Sequence, residues 1–97
     1  METYIILGSY TEQGVAKIKE SPARIEAARR AVEAGGGKFL SWYLTMGRYD
    51  FIAITQAPDA QAAAGVLLAI GAQGSVRTET LRALTEEEFK GVVASMP

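Results

Sequence analysis

The chain has 97 residues, 48% of them hydrophobic, with ten Lys and Arg against eleven Asp and Glu for a net charge of −1. That is enough for one domain spanning residues 1–97, burying roughly 60–70% of its unfolded surface, and it offers no basic block to attract nucleic acid. Histidine and cysteine are both absent, which removes Ser-His-Asp and Cys-His nucleophiles, zinc sites with nitrogen or sulfur ligands, and haem held by His or Cys.

Thr3 to Tyr10 reads as the first strand, with Ile5-Ile6-Leu7 apolar toward both faces, as expected for a strand covered on two sides. Thr11 to Glu20 is polar, includes Gly14, and reads as a connection. Ser21-Pro22 opens a helix, with Ser21 as cap and Pro22 at the first helical position. Ile25, Ala28 and Val32 fall at helical spacing, and Gly35-Gly36-Gly37 stops the helix.

The central stretch, Phe39 to Gln56, reads as a hairpin: Phe39–Thr45 and Asp50–Thr55 are rich in aromatic and β-branched residues and flank Gly47-Arg48-Tyr49-Asp50. Strict alternation puts Leu40, Trp42 and Leu44 on one face of its first strand and Phe39, Ser41, Tyr43 and Thr45 on the other. Ala57-Pro58-Asp59 then stops the sheet and caps a second helix reaching about Ile70, with Ala63, Val66, Leu67 and Ile70 as its inner stripe. Ser75 to Arg82 is the last strand. Thr85 and Glu88 make a capping box for a final helix, and three consecutive glutamates suit its positive end.

Strand, helix, strand, strand, helix, strand and a terminal helix give an α+β chain of ferredoxin-like βαββαβ order, an antiparallel sheet with helices on one face. The second face is expected to carry Tyr4, Ile6, Tyr10, Phe39, Tyr43, Phe51, Ala53 and Leu81, while Trp42, Leu44, Ile52 and Ile54 go under the helices. A face that apolar needs a second subunit, so the expected partner is another copy of the chain, as a homodimer or a higher assembly of dimers.

No apolar run approaches the ~20 residues of a membrane helix. The segment Met1-Glu-Thr-Tyr-Ile lacks the features of a signal peptide, and the lack of disulfides fits a cytoplasmic setting. Neither an EF-hand nor a P-loop pattern occurs, so no cofactor is expected.

Gly47-Arg48-Tyr49-Asp50-Phe51, followed by Ala57-Pro58-Asp59 and by Val76-Arg77-Thr78-Glu79-Thr80-Leu81-Arg82-Ala83, resembles the GYD domain family, as does the upstream Ile18-Lys19-Glu20-Ser21-Pro22. The resemblance covers nearly the whole chain. It implies the dimeric α/β-barrel version of the ferredoxin-like fold, and it brings no function with it.

The candidate ligand-binding residues are Tyr10, Lys19, Tyr43, Thr45, Tyr49, Asp50, Arg77 and Glu79. Arg77 and Glu79 on the open face suit an anion or a pKa-shifted carboxylate; the plainer alternative is an edge strand with solvated or interface-paired charges. Tyr49-Asp50 suits a substrate clamp, against a purely turn-fixing role for the Asp. Lys19 reaches a pocket mouth or is simply solvated. Two function classes stay open: a small-molecule binding or regulatory homo-oligomer with its pocket at the sheet–sheet interface, or a cofactor-independent isomerase or monooxygenase-like enzyme using Tyr, Arg and Glu.

Overall fold

Ile5-Ile6-Leu7 lies at the middle of strand β1 (Glu2–Tyr10), which is hydrogen-bonded along both edges, to β3 (Phe51–Ala57) on one side and to β4 (Val76–Ala83) on the other. The computed structural model describes residues 1–97. Strand β2 (Lys38–Leu44) adds outside β3, so the antiparallel sheet runs β2-β3-β1-β4. Helix α2 (Ser21–Ala34) connects β1 to β2, α3 (Ala60–Ala72) connects β3 to β4, and α4 (Glu86–Ala94) ends the chain. The architecture is the ferredoxin-like α+β arrangement, with α2 and α3 on one face of the sheet.

The polar stretch after β1 is more ordered than its composition suggests. It forms a short helix, α1 (Glu12–Ala16), then a 3-10 turn at Ile18–Glu20. Thr11 organises it: its Oγ1 accepts the Gly14 N–H at 3.2 Å and donates to the Gly74 carbonyl at 2.6 Å. Gly14 is required there, because a Cβ would fall 2.1 Å from the Ser75 carbonyl oxygen. Ser21 is not the cap expected of it. Glu20 holds the N-cap position of α2, and Ser21 Oγ instead shares a 2.6 Å hydrogen bond with the Tyr10 phenol. Asp59 and Thr85 do cap, accepting from the Ala62 and Glu88 N–H groups at 2.8 and 3.1 Å.

Register decides which face each residue takes, since residues directly opposite across strands share a face. Tyr4, Ile6 and Gly8 lie opposite Thr55, Ala53 and Phe51, and Tyr10 lies opposite Val76. This is the face under the helices, and Tyr4, Phe51, Ala53, Thr55 and Ala57 are buried there. The expectation that Tyr4, Ile6, Tyr10, Phe51 and Ala53 face outward is therefore corrected.

Ile5, Leu7, Ile52 and Ile54 take the opposite, uncovered face, which corrects the expectation that Ile52 and Ile54 go under the helices; Tyr43, Leu81, Arg77 and Glu79 lie there as expected. In β2 a bulge between Phe39 and Ser41 breaks the alternation, so Phe39 and Trp42 both line the helix side. The prediction that separates them assumes an unbroken strand.

Helix α4 stands apart: each of its residues is exposed, Phe89, Val92 and Val93 included.

Candidate functional site

The uncovered face has an apolar centre and a polar end. Ile5 lies between Ile54 and Leu81, and Leu7 between Ile52 and Glu79, across the neighbouring strands. Tyr43, opposite Ile52 on β2, is 60% exposed. Arg77 and Glu79 project from β4 on the same face, two residues apart, and both are exposed. They do not form the buried pair that the sequence left open; Arg77 is in no ion pair.

What engages Glu79 is Tyr49. Its phenol donates to Glu79 Oε2 at 3.0 Å, and the Arg48 guanidinium lies 5.8 Å from the Tyr49 ring centre. The bond to Glu79, then desolvation and the glutamate charge, push the Tyr49 phenol above its ordinary pKa. At neutral pH this tyrosine is a proton donor held in place by a carboxylate.

The loop carrying Tyr49 is built by the residues around it. Gly47 takes φ 150°, a backbone region that side-chain-bearing residues avoid. The Thr45 N–H donates to the Asp50 carbonyl at 2.8 Å and Thr45 Oγ1 donates to the Tyr49 carbonyl at 2.6 Å. Asp50 fastens the loop to β1: its N–H donates to the Gly8 carbonyl at 2.8 Å, and its Oδ2 accepts the Tyr10 N–H at 2.9 Å. Together they tie the residue just before β3 to the end of β1. Thr45 and Asp50 thus hold the loop in shape, in line with the turn-fixing reading of Asp50.

The eight candidates do not converge. Tyr43, Tyr49, Arg77 and Glu79 belong to the uncovered side. The Tyr10 ring packs on the other side, against Phe51 at 5.7 Å. Lys19 is exposed in the 3-10 turn beside α2. Sequence reasoning passed over Arg24, whose Nε is buried without a hydrogen-bond partner. The signal was faint, because Arg24 sits among the other charged residues of α2 with nothing to distinguish it.

The family model described as GYD domain matches residues 4–93. The glutamine synthetase and cystathionine beta-lyase binding protein of Thermus thermophilus is 33% identical over 85 residues, which cover 87% of this chain and 90% of that protein. Among solved structures, a feast or famine regulatory protein from M. tuberculosis complexed with L-methionine matches with a TM-score of 0.67 at 18% identity, over 88% of this chain and 51% of the other. The protein TTHA0845 from Thermus thermophilus matches with a TM-score of 0.56 at 24% identity, over 88% of this chain and 95% of the other. The chain spans about half the length of the feast or famine regulator, and at these identities the two structures share its fold. Matched along nearly its whole length by the family model, the chain belongs to the GYD domain family.

Proposed function

We propose that this chain is a small regulatory binding protein that works as a homodimer, or as an assembly of dimers, joined sheet to sheet. The observation that carries the proposal is the uncovered face of the sheet, where Ile5, Leu7, Ile52 and Ile54 meet no helix of their own chain. An apolar patch of this kind on a small domain marks an association surface, and a two-fold axis lets the same patch cover itself. Sedimentation velocity at micromolar concentration tests it. A species of twice the chain mass is expected, and a monomer overturns the proposal.

A small-molecule pocket between the two sheets fits best at the polar end. There Arg77 offers a guanidinium to a carboxylate, and Glu79, held in place by the Tyr49 phenol, accepts from an ammonium. That pairing of groups suits a free amino acid, the class of ligand named in the feast or famine regulator complex. Calorimetric titration with L-methionine and other amino acids, on the unmodified chain and on Arg77→Ala, tests the assignment. Binding that survives Arg77→Ala removes it. The enzyme reading gains less support, because a phenol pushed up in pKa is a poor base at neutral pH.

One observation favours a second kind of partner. The Thermus relative carries the names of two enzymes that it binds. By that likeness the chain binds an enzyme of the same two classes. Surface-plasmon titration against purified glutamine synthetase and cystathionine beta-lyase checks this, and no binding to either discards it.

A further inference from the structure

The helix-covered side of the sheet holds a cavity of about 140 Å3, separated by the sheet from the face described above. Its origin lies in the helices. The residues that α2 and α3 present to it include Ala28, Ala31, Ala62 and Ala63, and no residue of α3 is buried. Methyl groups stand where larger side chains would fill the layer. The sheet wall is aromatic: Trp42 stacks on Phe51 with ring centres 5.5 Å apart and planes 20° from parallel, and Tyr10 tilts against the same ring. Protein interiors are close-packed, and a partly open gap of this size between helices and sheet deprives its walls of contacts. An apolar cavity of about 150 Å3 accommodates a single benzene ring.

The cavity also has a polar member. Arg24 lines it, with Nη2 3.7 Å from Glu20 while Nε is buried and lacks an acceptor. A guanidinium N–H withdrawn from water calls for an acceptor, and a carboxylate is its best geometric match.

We propose that this cavity is a binding site for a small aromatic or branched apolar acid, its hydrocarbon part against Trp42, Phe51 and Tyr10 and its carboxylate on the Arg24 guanidinium. The site is independent of the sheet-to-sheet assembly, since it lies on the opposite side of the sheet.

Trp42 is the single tryptophan of the chain, so its fluorescence reports occupancy directly. The full chain is titrated with phenylacetate and, separately, with toluene. Both are expected to give saturable changes, with phenylacetate binding about tenfold tighter through its charge-assisted bond. Ala63→Leu, which fills the space, is expected to weaken both probes at least about tenfold. Ala28→Val serves in its place if circular dichroism shows Ala63→Leu unfolded. Arg24→Met is expected to abolish the preference for the acid while toluene still binds. The proposal is overturned by no saturable response to either probe, by unchanged affinity in the folded cavity-filling variant, or by an acid preference that persists in Arg24→Met. None of these results alters the oligomeric state on which the proposed function is tested.

Discussion

The phenol of Tyr49, in the loop between β2 and β3, donates a 3.0 Å hydrogen bond to Glu79 on β4, so the loop reaches over β1 to the far edge of the sheet. The Tyr49 pKa is raised, first by this bond and then by desolvation and the Glu79 charge. A raised folded value means that the contribution of the bond is complete below the ordinary tyrosine pKa of about 10. It is lost as pH rises through the higher folded value. Tyr4 is raised as well, chiefly by its bond to Glu2. An ultraviolet titration should therefore show late-ionising phenols that include these two, and Tyr49→Phe should remove one late phenol. Loss of an early phenol instead would show that the bond to Glu79 is not formed in solution.

Gly8 and Phe51 are a second such pair. They lie opposite each other in the β1–β3 ladder, and the Phe51 ring lies over the glycine, so that a Cβ on residue 8 would sit 2.0 Å from its Cζ. Phe51 is flanked by Trp42 and Tyr10, so its ring can retreat only into the cavity that it lines. Gly8→Ala should lower stability by about 1–3 kcal/mol, the cost of pushing the ring out of its stack on Trp42. Chemical denaturation reads it, and an unchanged midpoint would mean that the ring moves freely.

The succession of elements was legible in the sequence because each boundary carries its own chemistry: Asp59 and Thr85 as caps, the glycines after α2, and the aromatic and β-branched runs of the hairpin. The facing of the sheet was not. Phe51, Ala53 and Thr55 alternate with Ile52 and Ile54, and both sets are apolar enough to be covered. With two coverable faces, hydrophobicity alone cannot say which one the helices take. The alanines of α2 and α3 were the missed clue, since short helix side chains leave room for large aromatic rings from the sheet. In β2 the bulge at Leu40 put Phe39 and Trp42 on one side, where period two separates them. The site was partly legible for a related reason. Tyr49 and Glu79 were both named, but a bond between residues thirty apart in sequence follows only from the register of β4 against β1.

The capping box of α4 makes a local prediction. The Thr85 N–H donates to Glu88 Oε1 at 3.0 Å while Thr85 Oγ1 accepts the Glu88 N–H at 3.1 Å. The backbone bond from Thr85 is the main cause of a lowered Glu88 pKa, with the Thr85 side-chain bond next. A lowered folded value means that this stabilisation is present above the ordinary glutamate pKa of about 4.3 and is lost as pH falls through the depressed value. Thr85→Ala should cost α4 about 1 kcal/mol. Because α4 is exposed along its length, the loss should appear as faster amide exchange within Glu86–Ala94 while the denaturation midpoint of the sheet stays put. A lowered global midpoint would show that α4 is packed more firmly than its exposure indicates.

The two faces of β3 separate folding from assembly at positions three residues apart. Phe51 is 7% exposed beneath the helices, against Trp42 and Tyr10; an aspartate there places an unpaired carboxylate in the core, so Phe51→Asp should unfold the chain. Ile54 lies opposite Ile5 on the uncovered face, on the side of the sheet away from the helices. In a dimer joined through that face, Ile54→Lys buries a charge without a partner in each subunit. An uncompensated buried charge costs roughly 3–5 kcal/mol, so association should weaken at least about a hundredfold. Circular dichroism of Ile54→Lys should match the unmodified chain, and sedimentation should show a monomer. A dimer that survives Ile54→Lys would place the interface elsewhere, with the exposed apolar side of α4 as the next surface to alter.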